Sequence, residues 1–223
     1  MRYRSGVNRP FITLGALATL AALPIAVEAA PPSRHLSISA NPRPVVYGKS
    51  TVISGKLTGP HHDNRTVTIL ADSYPFEGAF LPVGTDATSS AGDYSLTLKP
   101  LVNTRYQAQQ ASTRSSVLGV LVRIRVSLHL SDRTPESGQR VRFSGRACPQ
   151  HDGATVRLQK LSRRTGRWYT VRKTVLKDIP GSTCSRYSKR VLVPSDGTYR
   201  VVVISGDADH ANGISKSKHL NAH

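Results

Sequence analysis

The residues best suited to chemistry in this chain are arginines placed two positions apart. Arg140, Arg142 and Arg146 alternate with the apolar residues Val141 and Phe143. A strand with this period has one dry and one wet face, so the three arginines are predicted to point into water. Guanidinium groups bind phosphate and carboxylate through paired hydrogen bonds. The pattern therefore predicts a surface that binds anions.

The same alternation adds further arginines to the predicted anion-binding surface. If Ile124, Val126 and Val191 point inward, the arginines beside them point outward. The predicted set is Arg123, Arg125, Arg140, Arg142, Arg146, Arg186 and Arg190. The whole chain has a net charge of +18, and residues 123–223 hold 20 Lys and Arg against 7 Asp and Glu. Natural surfaces usually mix both signs, so this excess favours a polyanionic partner; the alternative is an arginine-biased composition on a solvated face.

Two short motifs contain residue types that bind metals. They are His61-His62-Asp63 and the Asp207, Asp209 and His210 group. Each lies in a predicted loop without a matching set of further ligands, and the simpler interpretation is a polar turn. The sequence therefore predicts no metal site and no cofactor.

Aromatic and catalytic signals are sparse. Trp168-Tyr169 could form a stacking platform for a sugar or a base; alternatively, one ring packs inward and the other covers its neighbour. No Gly-x-Ser-x-Gly or His-Glu-x-x-His motif is present, and no two acidic residues stand out as a catalytic pair. We therefore expect a protein that is not an enzyme.

The first residues have the pattern of an export signal. Arg2, Arg4 and Arg9 precede an apolar run, and Val27 and Ala29 fit the −3 and −1 positions of a cleavage site. Residues 1–29 are predicted to be a signal peptide; the alternative is an uncleaved membrane anchor. We expect a secreted protein, possible retention at the cell envelope, and no membrane span in the mature form.

The two cysteines fit an exported protein. Cys148 and Cys184 are the only cysteines, and an even count in an oxidising compartment predicts a disulfide. The alternative, a reactive thiol, would require a single cysteine of low pKa near a base.

The remaining chain repeats one pattern. Residues 48–56 (GKSTVISGK) match residues 138–146 (GQRVRFSGR), and residues 66–69 (TVTI) match residues 155–158 (TVRL). Tyr94-Ser95 likewise matches Tyr187-Ser188. Self-similarity at a spacing of about 90 residues indicates two copies of one structural unit. Each copy contains six or seven short alternating segments separated by turns, which favours an all-β fold of packed antiparallel sheets.

These repeats resemble tandem immunoglobulin-like β-sandwich modules of bacterial secreted and cell-surface proteins. Asp196-Gly197-Thr198-Tyr199 resembles their tyrosine corner, in which the Tyr hydroxyl returns to nearby backbone. The usual cysteine pair is absent, because Ala108 and Val201 occupy the corresponding positions. The resemblance implies one module at 30–122 and a basic module carrying the disulfide at 123–223. It also implies that the first, second and fifth strands of the basic module share a sheet, so that the seven arginines share one outer face.

Three functions remain open at this point. The preferred one is a non-catalytic protein that binds an anionic envelope polymer or acidic glycan through the arginines. A structural scaffold that acts through protein partners is the alternative, and a secreted enzyme inhibitor that uses the 177–185 segment ranks last. Nucleic acid is not expected to be the partner, because no nucleic-acid-binding motif is present.

Overall fold

A computed structural model describes residues 33–223. The predicted signal peptide lies outside the described residues. Within them the chain is all-β, and it forms several antiparallel sheets consistent with a β-sandwich. No helix in the described part is long and apolar enough to cross a bilayer.

The amino-terminal half of the described chain contains short strands in two main sheets. The strands are β1 (His35–Leu36), β2 (Ser39–Asn41), β3 (Val45–Val46), β4 (Thr51–Thr58), β5 (Thr66–Ser73), β6 (Leu81–Ala87), β7 (Asp93–Leu98), β8 (Thr104–Gln110), β9 (Thr113–Arg114), β10 (Leu118–Val120) and β11 (Val122–Arg123). One sheet places β1 and β2 on one side of β4 and β7 on the other. The second has the order β10-β8-β5-β6, with β9 also on β8. Side chains from both sheets, such as Ile53 and Ile69, form one buried cluster.

The carboxyl-terminal half repeats this arrangement. Its strands are β12 (Arg125–Val126), β13 (His129–Leu130), β14 (Gln139–Cys148), β15 (Thr155–Leu161), β16 (Trp168–Val175), β17 (Ser185–Val193), β18 (Gly197–Val203), β19 (Gly213–Ile214) and β20 (Lys218–Leu220). The first sheet places β12 and β13 on one side of β14 and β17 on the other. The second has the order β16-β15-β18-β19, with β20 also on β18. A separate buried cluster fills the space between them, with Phe143 and Tyr199 in edge contact at 5.3 Å.

The repeated glycine and tyrosine of the sequence form one structural feature in each half. The Tyr187 hydroxyl crosses over Gly145 and donates to the Ser127 carbonyl at 2.7 Å, and Tyr94 makes the same bond to Ser37. A Cβ at Gly145 would lie 2.1 Å from the Ser127 oxygen and 2.7 Å from the Tyr187 hydroxyl. No side chain fits in that space. The repeat is therefore a requirement of packing, with glycine leaving room for the tyrosine.

This feature explains where the first strand of each half is broken. In the carboxyl-terminal half the structure divides the first strand into β12 and β13 on either side of Ser127, although the apolar alternation of Ile124, Val126, Leu128 and Leu130 continues through the break. The Ser127 carbonyl accepts from a tyrosine side chain, while its amide still donates to Arg146. The break therefore falls where a side chain takes a backbone acceptor.

Tyr199, whose sequence context resembles a tyrosine corner, makes other contacts than a tyrosine corner implies. The Tyr199 side chain is buried, and no hydrogen bond from its hydroxyl is found among residues 33–223. Its ring packs against Phe143, and the Lys160 ammonium lies 5.4 Å from the ring centre. The hydroxyls that do return to the backbone belong to Tyr94 and Tyr187.

The predicted disulfide is confirmed. Cys148 at the end of β14 is bonded to Cys184, which immediately precedes β17. The bridge therefore closes the β14–β17 pair at one end.

Backbone hydrogen bonds join the two halves. The Ala211 amide donates at 2.8 Å to the Val122 carbonyl of β11, which pairs in parallel with β3 within the amino-terminal half. Asn103 bonds the loop between β18 and β19 twice, through its amide to the Asp209 carbonyl and through its side chain to the Ala208 carbonyl. The loop at 205–212 is therefore part of the carboxyl-terminal half and is hydrogen-bonded to the amino-terminal half; we call it the shared loop.

Candidate functional site

Six of the seven predicted arginines share the outer face of one sheet. On β14 and β17, Arg142 lies directly opposite Arg190, and Arg146 lies directly opposite Arg186. We call the whole set the arginine face; its members, all exposed, are Arg125, Arg140, Arg142, Arg146, Arg186 and Arg190. The alternation of β14 and β17 produces this face, because their odd-numbered neighbours Val141, Phe143 and Val191 fill the core.

Arg123 is the exception within the predicted set. It is exposed, but it belongs to β11, which pairs with β3 of the amino-terminal half and not with β14. The strand changes partner between Arg123 and Arg125, so these two arginines are attached to different sheets. Sequence alternation alone does not show this change.

Small polar side chains leave two depressions on the arginine face. One, of about 380 Å³, is lined by Arg140, Arg142 and Arg190 together with His129, Ser131 and Ser144. The other, of about 260 Å³, is lined by Arg125, Arg146 and the disulfide, with Val126 and Ser127 completing its wall. Both are bordered by guanidinium groups. The face can therefore hold anionic groups in recesses.

None of the six guanidinium groups has an acidic partner within residues 33–223. The ion pairs in that part of the chain involve other residues, and no side-chain hydrogen bond from the six is found there. Like charges directly opposite each other on neighbouring strands destabilise a sheet. The facing arginines therefore destabilise the sheet, and no acidic side chain in the described part of the chain pairs with them.

The amino-terminal half provides an internal comparison. In the repeat, Lys56 occupies the position of Arg146, and its cross-strand partner is Asp93. Lys56 and Asp93 form an ion pair of 3.4 Å. At this position the two side-chain charges cancel in the amino-terminal half, whereas two positive charges face each other in the carboxyl-terminal half. The fold itself does not require the arginines.

The predicted aromatic pair does not form a single platform. Trp168 and Tyr169 are neighbours on β16, so their rings point to opposite faces of the sheet. The Arg200 guanidinium lies 4.2 Å from the Trp168 ring centre and also donates to Gln159. One face of the indole is therefore already covered by the guanidinium, while Tyr169 remains exposed.

Of the two metal-type motifs, one gains a ligand that sequence reasoning missed. His62 bonds the Gly59 carbonyl within its own turn, as expected for a polar loop. Asp207, Asp209 and His210, however, meet His151 from the loop between β14 and β15, and one ligand atom from each of the four lies within 4.8 Å of the others. The expectation that this motif lacks further ligands was wrong. His151 occupies the position of His61 in the repeat, but no residue near it in the sequence signals the carboxylates that it meets.

The carboxylate of Asp207 is held in its charged form. Burial alone would raise the pKa of Asp207, but the hydrogen bond that its carboxylate accepts from the Ser205 hydroxyl helps to bring it below its ordinary value. We call the four residues His151, Asp207, Asp209 and His210 the histidine–aspartate cluster.

Comparison with known proteins gives no independent guide. No family model matches the sequence, and no curated protein matches it.

Proposed function

We propose that this protein is a non-catalytic binding protein, secreted or associated with the cell envelope, that contacts anionic extracellular polymers through the arginine face. The observation that carries the proposal is the contrast between the two halves. Where Lys56 is paired with Asp93, the equivalent Arg146 faces Arg186. The amino-terminal half has no repulsion between like charges at this position, whereas the carboxyl-terminal half does. Such a difference is expected when an external partner supplies the countercharge.

The spacing of the arginines favours a polymer over a small anion. The Arg142–Arg190 pair and the Arg146–Arg186 pair are separated by four residues along β14, which is about 14 Å in an antiparallel strand. A single phosphate or carboxylate reaches one pair only. A chain of repeated anionic groups reaches both, and the forked guanidinium suits phosphate and carboxylate equally.

The same proposal includes the architecture and the location. We propose that residues 30–122 and 123–223 are two immunoglobulin-like modules, supported by their shared sequence pattern and the antiparallel sheets of each half. Secretion is supported by the Cys148–Cys184 disulfide, since such bonds persist in oxidising compartments.

The experiment compares two double variants with the same change in charge. Arg142→Gln/Arg190→Gln removes one like-charged pair from the arginine face. Arg157→Gln/Lys173→Gln removes the like-charged pair that faces across β15 and β16 in the other sheet. Binding to long-chain inorganic polyphosphate and to an acidic polysaccharide is measured over a series of salt concentrations. Comparing the two probes distinguishes a phosphate polymer from a uronic-acid glycan.

We expect the arginine-face variant to bind at least tenfold more weakly and to lose about one to two units of slope in log Kd against log salt, because counterion release scales with the contacts made. The control variant should stay within about threefold of the wild type. Equal losses in both variants would show that net charge alone is responsible, and that would contradict the proposal. Wild-type retention at the cell surface by the arginine-face variant would instead favour a scaffold that acts through protein partners.

A further inference from the structure

We propose that the histidine–aspartate cluster is a binding site for a divalent transition metal such as Zn²⁺. The four residues come from two loops, and each offers one ligand atom within 4.8 Å of the other three. This inference is independent of the arginine face. It assigns to the protein a structural metal that fastens the loop shared by its two halves.

The distances suit a four-coordinate ion. His151 Nε2 lies 3.3 Å from Asp207 Oδ2 and 3.9 Å from Asp209 Oδ1, and His210 Nδ1 lies 2.9 Å from Asp209 Oδ1. Ligands about 2.0–2.2 Å from a tetrahedral metal are separated from each other by about 3.4 Å. These three separations bracket that value, and all four ligand atoms lie within 4.8 Å of one another. An ion between these atoms requires only small side-chain adjustments.

Both imidazole rings are oriented as in metal-binding histidines. His151 Nδ1 lies 3.0 Å from the Pro149 carbonyl, and His210 Nε2 lies 2.8 Å from the Leu101 carbonyl. A carbonyl accepts only, so each of these nitrogens carries the proton. In a neutral ring the other nitrogen then presents its lone pair to the cluster. Backbone partners of this kind fix the tautomer of histidine ligands.

The lone pairs of these ring nitrogens therefore face carboxylate oxygens. Each nitrogen and the oxygen opposite it are both hydrogen-bond acceptors, and neither has a hydrogen to donate. His210 Nδ1 and Asp209 Oδ1 are buried and have no hydrogen-bond partner among residues 33–223. The His210 side chain is only 3% exposed, and that of His151 only 4%. Buried acceptors without a partner are costly, and a cation between them removes the cost. That cation is either a proton on each ring or a metal ion.

The donor set selects the class of metal. Two imidazole nitrogens and two carboxylate oxygens suit Zn²⁺ and its neighbours in the first transition row, whereas Mg²⁺ and Ca²⁺ prefer oxygen ligands alone. No thiolate is available, because both cysteines are in the disulfide. Mg²⁺ therefore serves as the control ion.

The position of the site indicates what the metal does. Its loop at 205–212 bonds Asn103 and Leu101 of the other half, and the His210 ring also contacts the Tyr47 ring at 5.8 Å between centres. His151 follows three residues after Cys148. A metal here ties the shared loop to the end of β14 that the disulfide already fixes. It thereby holds the junction between the halves in one arrangement.

The test uses the purified protein stripped with chelator and then titrated with Zn²⁺. We expect one equivalent to bind and, at about 100-fold excess over Kd, the melting temperature to rise by about 5–10 °C. Mg²⁺ should produce no rise. Co²⁺ in place of Zn²⁺ should give the visible absorption of a four-coordinate nitrogen–oxygen site. The Co²⁺ spectrum reports on binding even if a variant is less stable.

His210→Gln and Asp209→Asn should lose the bound equivalent and the thermal shift, and His62→Gln is the matched control because that ring's one hydrogen bond within residues 33–223 is to its own turn. Absence of stoichiometric Zn²⁺ binding by the wild type, or the same binding by His210→Gln, would overturn the inference. So would nuclear magnetic resonance evidence that both imidazoles are doubly protonated at pH 7 and unaffected by Zn²⁺, since protons would then fill the role of the cation.

Discussion

The repulsion within the arginine face can be measured directly at the Arg142–Arg190 pair. These residues are directly opposite each other on β14 and β17, and neither has an acidic partner in the described chain. Replacing either by Gln removes one charge and keeps a polar side chain with the first two methylenes of arginine. We expect each replacement to stabilise the protein, because it removes repulsion from the facing arginine and from its neighbours on the same face.

The magnitude follows from the geometry of the pair. Opposite residues have Cβ atoms about 5 Å apart, and two unit charges about 7 Å apart in water repel by about 0.6 kcal/mol. At physiological ionic strength the screening length is about 8 Å, so less than half of that repulsion remains. The double-mutant cycle should therefore show a repulsive coupling of about 0.5 kcal/mol in 10 mM salt. In 500 mM salt the coupling should be close to zero.

Urea unfolding followed by fluorescence measures this coupling, because urea adds no ionic strength. The single tryptophan, Trp168, lies in the same half as the arginine face and reports its unfolding. The control cycle combines Arg140→Gln with Arg186→Gln. These positions are about six residues apart along the strands, or about 20 Å, so their coupling should be negligible. A coupling of zero or of attractive sign at low salt would refute the argument that the face is strained by its own charge.

Two further outcomes follow from the glycine and tyrosine of the β14–β17 sheet. Gly145→Ala should lower the free energy of unfolding by roughly 2 kcal/mol or more, since the added Cβ collides with a backbone oxygen at 2.1 Å, and Tyr187→Phe should lower it by about 1 kcal/mol. The double variant measured by urea unfolding should lose less than the sum, and strict additivity would contradict the shared-space argument. Burial raises the pKa of Tyr187, so its contribution to stability is present below pH 10 and is lost as the pH rises above that value. Unfolding free energies measured between pH 8 and 11 should therefore fall less steeply for Tyr187→Phe than for the wild type.

Much of the fold can be predicted from the sequence because its signals are local. Alternation along β14 places Val141 and Phe143 inside and Arg140 and Arg142 outside, and this needs no knowledge of the partner strand. The disulfide follows from a cysteine count of two. The breaks in the first strand of each half could not be predicted, because they depend on a tyrosine hydroxyl 57 residues away in the amino-terminal half and 60 residues away in the carboxyl-terminal half.

The two candidate sites also differ in how far they can be predicted from the sequence. The arginine face depends on two strands whose alternation is visible in the sequence, so six of its seven predicted members are found together. The histidine–aspartate cluster depends on two loops meeting at one end of the sheets. His151 is separated from Asp207 and His210 by four strands, and only tertiary packing brings them together. Nothing in the residues around His151 indicates the carboxylates it meets.

The disulfide lies within the arginine face, and this has a consequence for its chemistry. Cys148 and Cys184 line the same depression as Arg125 and Arg146. Reductants that carry negative charge, such as small acidic thiols, are drawn to these sulfurs by the surrounding guanidinium groups. A polyanion seated in the depression would repel those reductants and cover the bond. The rate at which the bridge is reduced thus becomes a readout of whether the depression is occupied.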